Sequence, residues 1–405
     1  MESVSRTTSG ASAGVALEQE SGLSLVRGDL AFRVQKRLGL IPDEGLGLLR
    51  RALFWSLLAW LPIAAWAVAT GRAGTDAANE PLLAHFGIHV RFLIAVPLLI
   101  LAEGVVHNTM QRLLPQFVAS GVVPHAEMPR FRETIGRIIR LRDASLPWIG
   151  ILALVLAGIT VADVVHHAHE IDWAVDGLPG AQRTGFGGWW FLYVGRPIYL
   201  TLLLGWVWRI VLAFLLFRGI ARLDLAIVPT HPDRAGGLGF VAGFPAAFAL
   251  VAFAASAVLA GMLAHDVVYH GVAVKALRIE MAIFVVLVVL AFLLPVLALT
   301  GPLSRARRRA LLDYGALVSR HDRLVHLKWI EGRDVGEASV LAAPELGPVA
   351  DVATLYEAVR NMRTVPLAPT SAVPLVLAAM IPLLVVLAIQ IPVGTLLQNL
   401  LKMLL

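Results

Sequence analysis

Four ionisable residues stand in stretches otherwise too apolar for water: Glu103, Asp163, Arg196 and Arg209. An ionised side chain in hydrocarbon costs several kcal/mol, so each must face a partner or a water-filled space. Depth, counted at about 1.5 Å per residue along a helix, pairs Asp163 with Arg196 and Glu103 with Arg209. The two arginines are separated by about 220° of helix rotation, so they face different neighbours. Such groups serve either as ion pairs between helices or as a polar pathway for an ion or proton.

Histidine gives a second candidate. Seven of the 12 histidines, His85, His89, His166, His167, His169, His265 and His270, fall in connections or span ends on one side of the chain. Glu170 follows His166 by four residues, which places both on one helical face. Imidazole with carboxylate suits a divalent metal such as zinc, with His166, His169, Glu170, His265 and His270 as candidate ligands. The same groups titrate near neutrality and would sense acid. Interfacial histidines that only cap helices are the plainer reading.

A third candidate is THPDRAGGLGF, residues 230–240. Thr230 or Asp233 can cap a following helix. Gly236, Gly237 and Gly239 permit unusual backbone angles, and free amides beside His231 and Arg234 would suit an anion. No GK[ST] follows, and a helix rather than a strand precedes, so neither a P-loop nor a dinucleotide fingerprint is present. A tight interfacial turn is the alternative. RARRR, residues 305–309, is a patch for anionic lipid headgroups.

The elements that position these residues follow from composition. Hydrophobic residues make up 58% and charged residues 15% of 405, with mean hydropathy +0.76. A soluble domain carries about 25% charged residues. The absence of cysteine removes disulfide scaffolds and thiolate chemistry. No GxSxG elbow marks nucleophilic catalysis, so an intramembrane enzyme is the least favoured of three classes, and without an aromatic-basic module nucleic-acid binding is not expected. What is expected is an all-α polytopic transmembrane helix bundle with about seven spans, at 52–70, 90–108, 147–167, 188–216, 241–264, 280–300 and 372–391. Twenty-six of the 34 Lys and Arg residues fall on one side of these spans. The positive-inside rule then places that side, and the N-terminus, in the cytoplasm.

Around the six-span bundle of 52–300 the reading places a disordered tail at 1–28 and an interfacial amphipathic segment at 29–51, broken at Pro42. A cytoplasmic segment at 301–370 holds two amphipathic helices docked on the bundle, with Leu311, Tyr314, Leu317, Val318, Leu324 and Val325 on one stripe. A final span and interfacial helix fill 371–405, and Pro374, Pro382 and Pro392 predict a kinked or broken span.

HPDRAGGLGF at 231–240 and VRNMRTVP at 359–366 carry a resemblance to an uncharacterised family of bacterial multi-pass inner-membrane proteins. The similarity extends from RLGL at 37–40 to the C-terminal LLKMLL. It implies the bundle fold and the bacterial inner membrane, and no activity or functional residue. The functional expectation is a channel or transporter for a small ion or polar solute. A non-catalytic sensor or assembly factor reading a metal or pH site at the histidines is the alternative. Membrane lipids and a second copy of the chain are the expected partners.

Overall fold

The computed structural model describes residues 23–43, 45–74, 81–165, 172–176, 183–335 and 349–390. The expected N-terminal tail up to residue 22 and the C-terminal interfacial helix beyond residue 390 lie outside the described residues. Seven helical stretches are long and apolar enough to cross a membrane. A short amphipathic helix, α1 (Leu30–Arg37), precedes them, capped by Asp29. The spans are α2 (Leu48–Ala69), α3 (Phe86–Ala119), a bent pair of α4 (Met128–Asp143) and α5 (Leu146–Val165), and α6 (Phe186–Ile220). After them come α7 (Ala249–Tyr269), led in by a 3₁₀ segment Gly239–Phe248, and α8 (Val274–Leu297). Two helices, α9 (Thr300–Val325) and α10 (Val349–Arg360), pack on each other before the last span, α11 (Val373–Gln390). The one β element described is a two-residue antiparallel pair, Val175–Asp176 with Arg183–Thr184.

Lipid is written on the outside of this bundle. Ile149, Leu152, Leu156, Ile283, Leu287, Leu290, Leu384 and Val385 are all exposed on α5, α8 and α11. In water, contiguous apolar surface on this scale would drive association. The centre is different: α3 and the α7 stretch are the most enclosed, around Phe92, Phe117, Phe191, Phe244 and Phe248. These rings meet edge to face, as in Phe117–Phe240, with centroids 4.9 Å apart.

Two long spans share a local design. A π turn occupies Val90–Ala95 in α3 and Phe191–Gly195 in α6, each just before an Xaa-Pro step at Pro97 or Pro197. Proline lacks the amide hydrogen and collides with the carbonyl four residues back, and a wider turn relieves both problems. The two π turns lie against each other, with Phe92 and Phe191 6.0 Å apart. Gly195 makes this possible, because a Cβ there would sit 2.6 Å from the Phe92 ring. The Ser56 hydroxyl of α2 donates to the Phe92 carbonyl that the π turn frees.

At 35 residues α6 is about 52 Å long, against about 30 Å of hydrocarbon, so it extends well past the bilayer. The last span is one continuous helix despite Pro382 within it. Chain before α1 is also fixed: Leu23, Ser24, Leu25 and Val26 are buried at the arginine-rich end. Arg142 of α4 donates to the Ser24 carbonyl at 2.6 Å. Gly28, at φ +92°, lies beneath this guanidinium, where a Cβ would sit 2.7 Å from Arg142 Nη2 and the backbone would be strained.

Candidate functional site

A buried polar assembly inside the bundle joins four elements. Arg51 on α2 meets the Glu103 carboxylate of α3 at 2.6 Å. Arg209 on α6 meets the other Glu103 oxygen at 2.9 Å and Asp29 at 3.0 Å. Arg51 also donates to the Gln35 side-chain oxygen at 2.7 Å, which accepts a second bond from the Trp55 indole at 2.9 Å. Arg209 lies over the Trp206 ring, 4.9 Å from its centroid. All four ionisable groups are at most 3% exposed. Two acids balance two guanidiniums, so the cluster is neutral as a whole, the condition under which buried charge is tolerated.

Local sequence sets each position. Asp29 accepts from the Phe32 amide at 2.7 Å as the cap of α1, leaving its second oxygen for Arg209. Gly104 lets α2 and α3 approach closely, since a Cβ there would collide with Leu48. Of the four residues singled out by sequence, Glu103 and Arg209 are brought together. The Asp163 side chain lies outside the described residues, and Arg196, just after the π turn of α6, has an interaction of its own. Sequence reasoning missed Arg51, Asp29 and Gln35. Arg51, at the edge of a span, carries only the signature of a cytoplasmic arginine, and the available signal for Asp29 is its place as an acidic cap ahead of LAFRVQKR.

A cleft of about 340 Å³ ends on this cluster. Glu103, Arg209 and Gln35 form its floor, while Trp148, Ile151, Ile198 and Leu202 supply apolar walls. Exposed Leu152 and Val34 stand at its rim. Gly205 keeps it open, because a Cβ at that position would already press on Trp148 at 3.3 Å. Apolar walls with a few polar groups at one end are the make-up of a small-molecule site.

At the opposite end, His85 and His265 stack with centroids 4.7 Å apart, and His270 and Tyr269 lie 5.2 and 5.1 Å from His265. His265 contacts the Ala84 carbonyl through Nδ1 at 3.1 Å. Among the described residues no three His, Asp or Glu groups gather as a metal site. His166, His169 and Glu170, the rest of the expected zinc ligands, lie outside the described residues.

The glycine-rich loop is self-satisfied. The Asp233 carboxylate accepts from the amides of Ala235 at 2.7 Å, Gly237 at 3.2 Å and Gly239 at 2.8 Å. The amides expected to hold an anion therefore already hold this side chain. Thr230 precedes the turn, His231 approaches Asp233 at 2.9 Å, and Arg234 adopts φ +56°. Arg363 donates to the Asp233 carbonyl at 2.8 Å and the Leu367 carbonyl at 2.9 Å, while its amide reaches the Arg234 carbonyl at 2.7 Å. HPDRAGGLGF and VRNMRTVP thus form one clasp, with Met362 buried beside Gly236.

Burial works against ionisation of Asp233, but the amides of Ala235, Gly239 and Gly237 and the His231 ring outweigh it, so the carboxyl lies below its usual range. A depressed carboxyl stabilises the fold above its unfolded-state value, near 3.9, and this contribution fades as pH falls through the folded value. Asp233→Ala is expected to cost about 2 kcal/mol at pH 7. Its deficit relative to the parent should shrink only below pH 4, as followed by tryptophan-detected melting.

A second cavity of about 480 Å³ lies between residues 223–229 and the start of α9, where Arg305 and Arg309 face Asp224 and Asp313. Arg307, between them, is committed to the Arg360 carbonyl at 2.7 Å.

Seven spans, a lipid-exposed apolar surface and a neutral charge cluster inside the bundle define an integral, multi-pass membrane protein. Comparison with protein-family models, curated proteins and solved structures found no match.

Proposed function

We propose that this is a carrier in the bacterial inner membrane, of the family its two clasp motifs resemble, with its arginine-rich end and N-terminus in the cytoplasm. It takes a small amphiphilic molecule from the bilayer into the cleft above Glu103 and Arg209. The carrying observation is the cleft itself, apolar along its walls and polar only at its floor. Transport of a small ion or polar solute is the broader reading. It is served less well, because Asp29, Glu103, Arg51 and Arg209 neutralise one another and leave no net charge to attract an ion. Arg305 and Arg309, flanking the second cavity, are the place for an anionic lipid, and self-association through the apolar belt belongs to the same reading.

The test is ligand retention. Protein extracted in mild detergent should carry one amphiphile per chain in native mass spectra, and Gly205→Phe, which fills the cleft, should lose it at least tenfold. Equal retention by both proteins would refute the reading.

Sensing at the histidine end is the second reading, favoured by the buried His85–His265 stack. Zinc should raise the melting temperature of the parent and leave that of His265→Gln where it is. An identical response in the two proteins would remove it.

A further inference from the structure

The hydrogen-bonding capacity left on the cleft floor is one-sided. Both Glu103 oxygens lie within ion-pair distance of arginines, and the Gln35 oxygen already accepts from Arg51 and Trp55. One acceptor, Glu103 Oε2, has no hydrogen bond but is held by the Arg51 charge at 2.6 Å; the other acceptors are spent. Donors are not: the Trp148 indole N–H and the Arg209 Nε–H are buried and have no hydrogen-bond partner among the described residues. Both residues line the cleft, and Arg209 is 3% exposed. A buried donor left unmade is costly, so a ligand that supplies an acceptor gains more here than on an open surface. Charge narrows the choice again. Asp29 and Glu103 already neutralise Arg51 and Arg209, so an ionic head would bring an uncompensated charge into hydrocarbon.

We propose that the cleft receives a neutral amphiphile whose head offers only acceptors: a quinone or ester carbonyl on an alkyl or isoprenoid tail. The head lies against Trp148 and Arg209, its carbonyl oxygen accepting from their N–H groups after a small side-chain adjustment. The tail leaves past Leu152 and Val34 at the rim into the bilayer. A volume of about 340 Å³ holds a ring or ester group with a few carbons, the rest of the tail remaining in lipid. The inference rests on the carrier reading and adds the chemistry of the head.

The test uses the full chain in nanodiscs of ether-linked phospholipid, which carries no ester carbonyl to compete. Four probes of matched chain length are titrated by native mass spectrometry: a decyl benzoquinone, methyl decanoate, decanoate and decylammonium. At least one of the two neutral carbonyl probes is expected to bind tenfold more tightly than either ion, and which of them does so separates a quinone from an ester lipid as the source. Trp148→Phe, which keeps the ring and removes the N–H, should weaken that probe about threefold to tenfold. Equal or tighter binding of decanoate or decylammonium would overturn the head-group inference and leave the carrier reading standing. Unchanged affinity in Trp148→Phe would also overturn it. If no probe binds, or if Gly205→Phe binds all four as the parent does, the carrier reading fails as well.

Discussion

Glu103→Gln is expected to destabilise the protein by about 3–5 kcal/mol, because it leaves Arg51 and Arg209 facing each other with Asp29 as their only acid. The effect should reach beyond α3. Arg209 holds Asp29, and Asp29 caps α1, so loosening the cluster releases the amphipathic helix that forms one wall of the cleft. Neutrality, rather than any single contact, sets the cost. The double variant Glu103→Gln/Arg209→Gln keeps one acid and one base and should be more stable than Glu103→Gln alone. Melting in nanodiscs, followed by tryptophan fluorescence, reads both; additive losses would show that charge balance is not what holds the cluster.

Arg363→Ala has the second-largest expected effect, about 3 kcal/mol. It removes two charged hydrogen bonds, to the Asp233 and Leu367 carbonyls, and leaves both acceptors in a half-buried clasp. The loss falls where the chain turns from α10 into the final span. Limited proteolysis should therefore cut between residues 360 and 370 in the variant before the spans melt. Arg363→Lys, which keeps the charge but cannot fork to two carbonyls, should recover less than half of the difference. Full recovery with lysine would mean that charge alone maintains the clasp.

Much of the architecture was legible in the sequence because the bilayer imposes it. Stretches of about 20 apolar residues reveal themselves without any knowledge of neighbours. The ends were harder. α6 begins at Phe186 and α3 at Phe86, earlier than apolarity alone places them: Gly187 packs against Trp66 and Trp173, and His89 against Trp60, so both join the helix. The Pro382 step did not break the last span, since Val373–Gln390 remains helical around it while Leu375, Ala379 and Leu383 are buried. Proline within a span is tolerated where neighbouring helices support the freed carbonyl.

The site was legible by half. Glu103 and Arg209 stood out as charges in apolar surroundings, and matching depth suggested their contact. Arg51 did not stand out, because an arginine at a span's edge is the ordinary signature of topology. Asp29 and Gln35 enter only through α1 folding back beneath the bundle, a long-range event that no local spacing encodes. The glycine-rich loop was read with its own aspartate available as a cap, and Asp233 takes that role for three amides at once, which removes them from anion binding.

The chain has no cysteine, so a single one introduced at Thr201 on the cleft wall reports its surroundings without interference. In native membrane vesicles, Thr201→Cys should react with a lipid-soluble maleimide at least tenfold faster than with a charged thiosulfonate. That ratio is the mark of a cleft reached from the bilayer. Faster labelling by the charged reagent would mean that water reaches Glu103 and Arg209, and the account of a neutral, lipid-accessed site would be wrong.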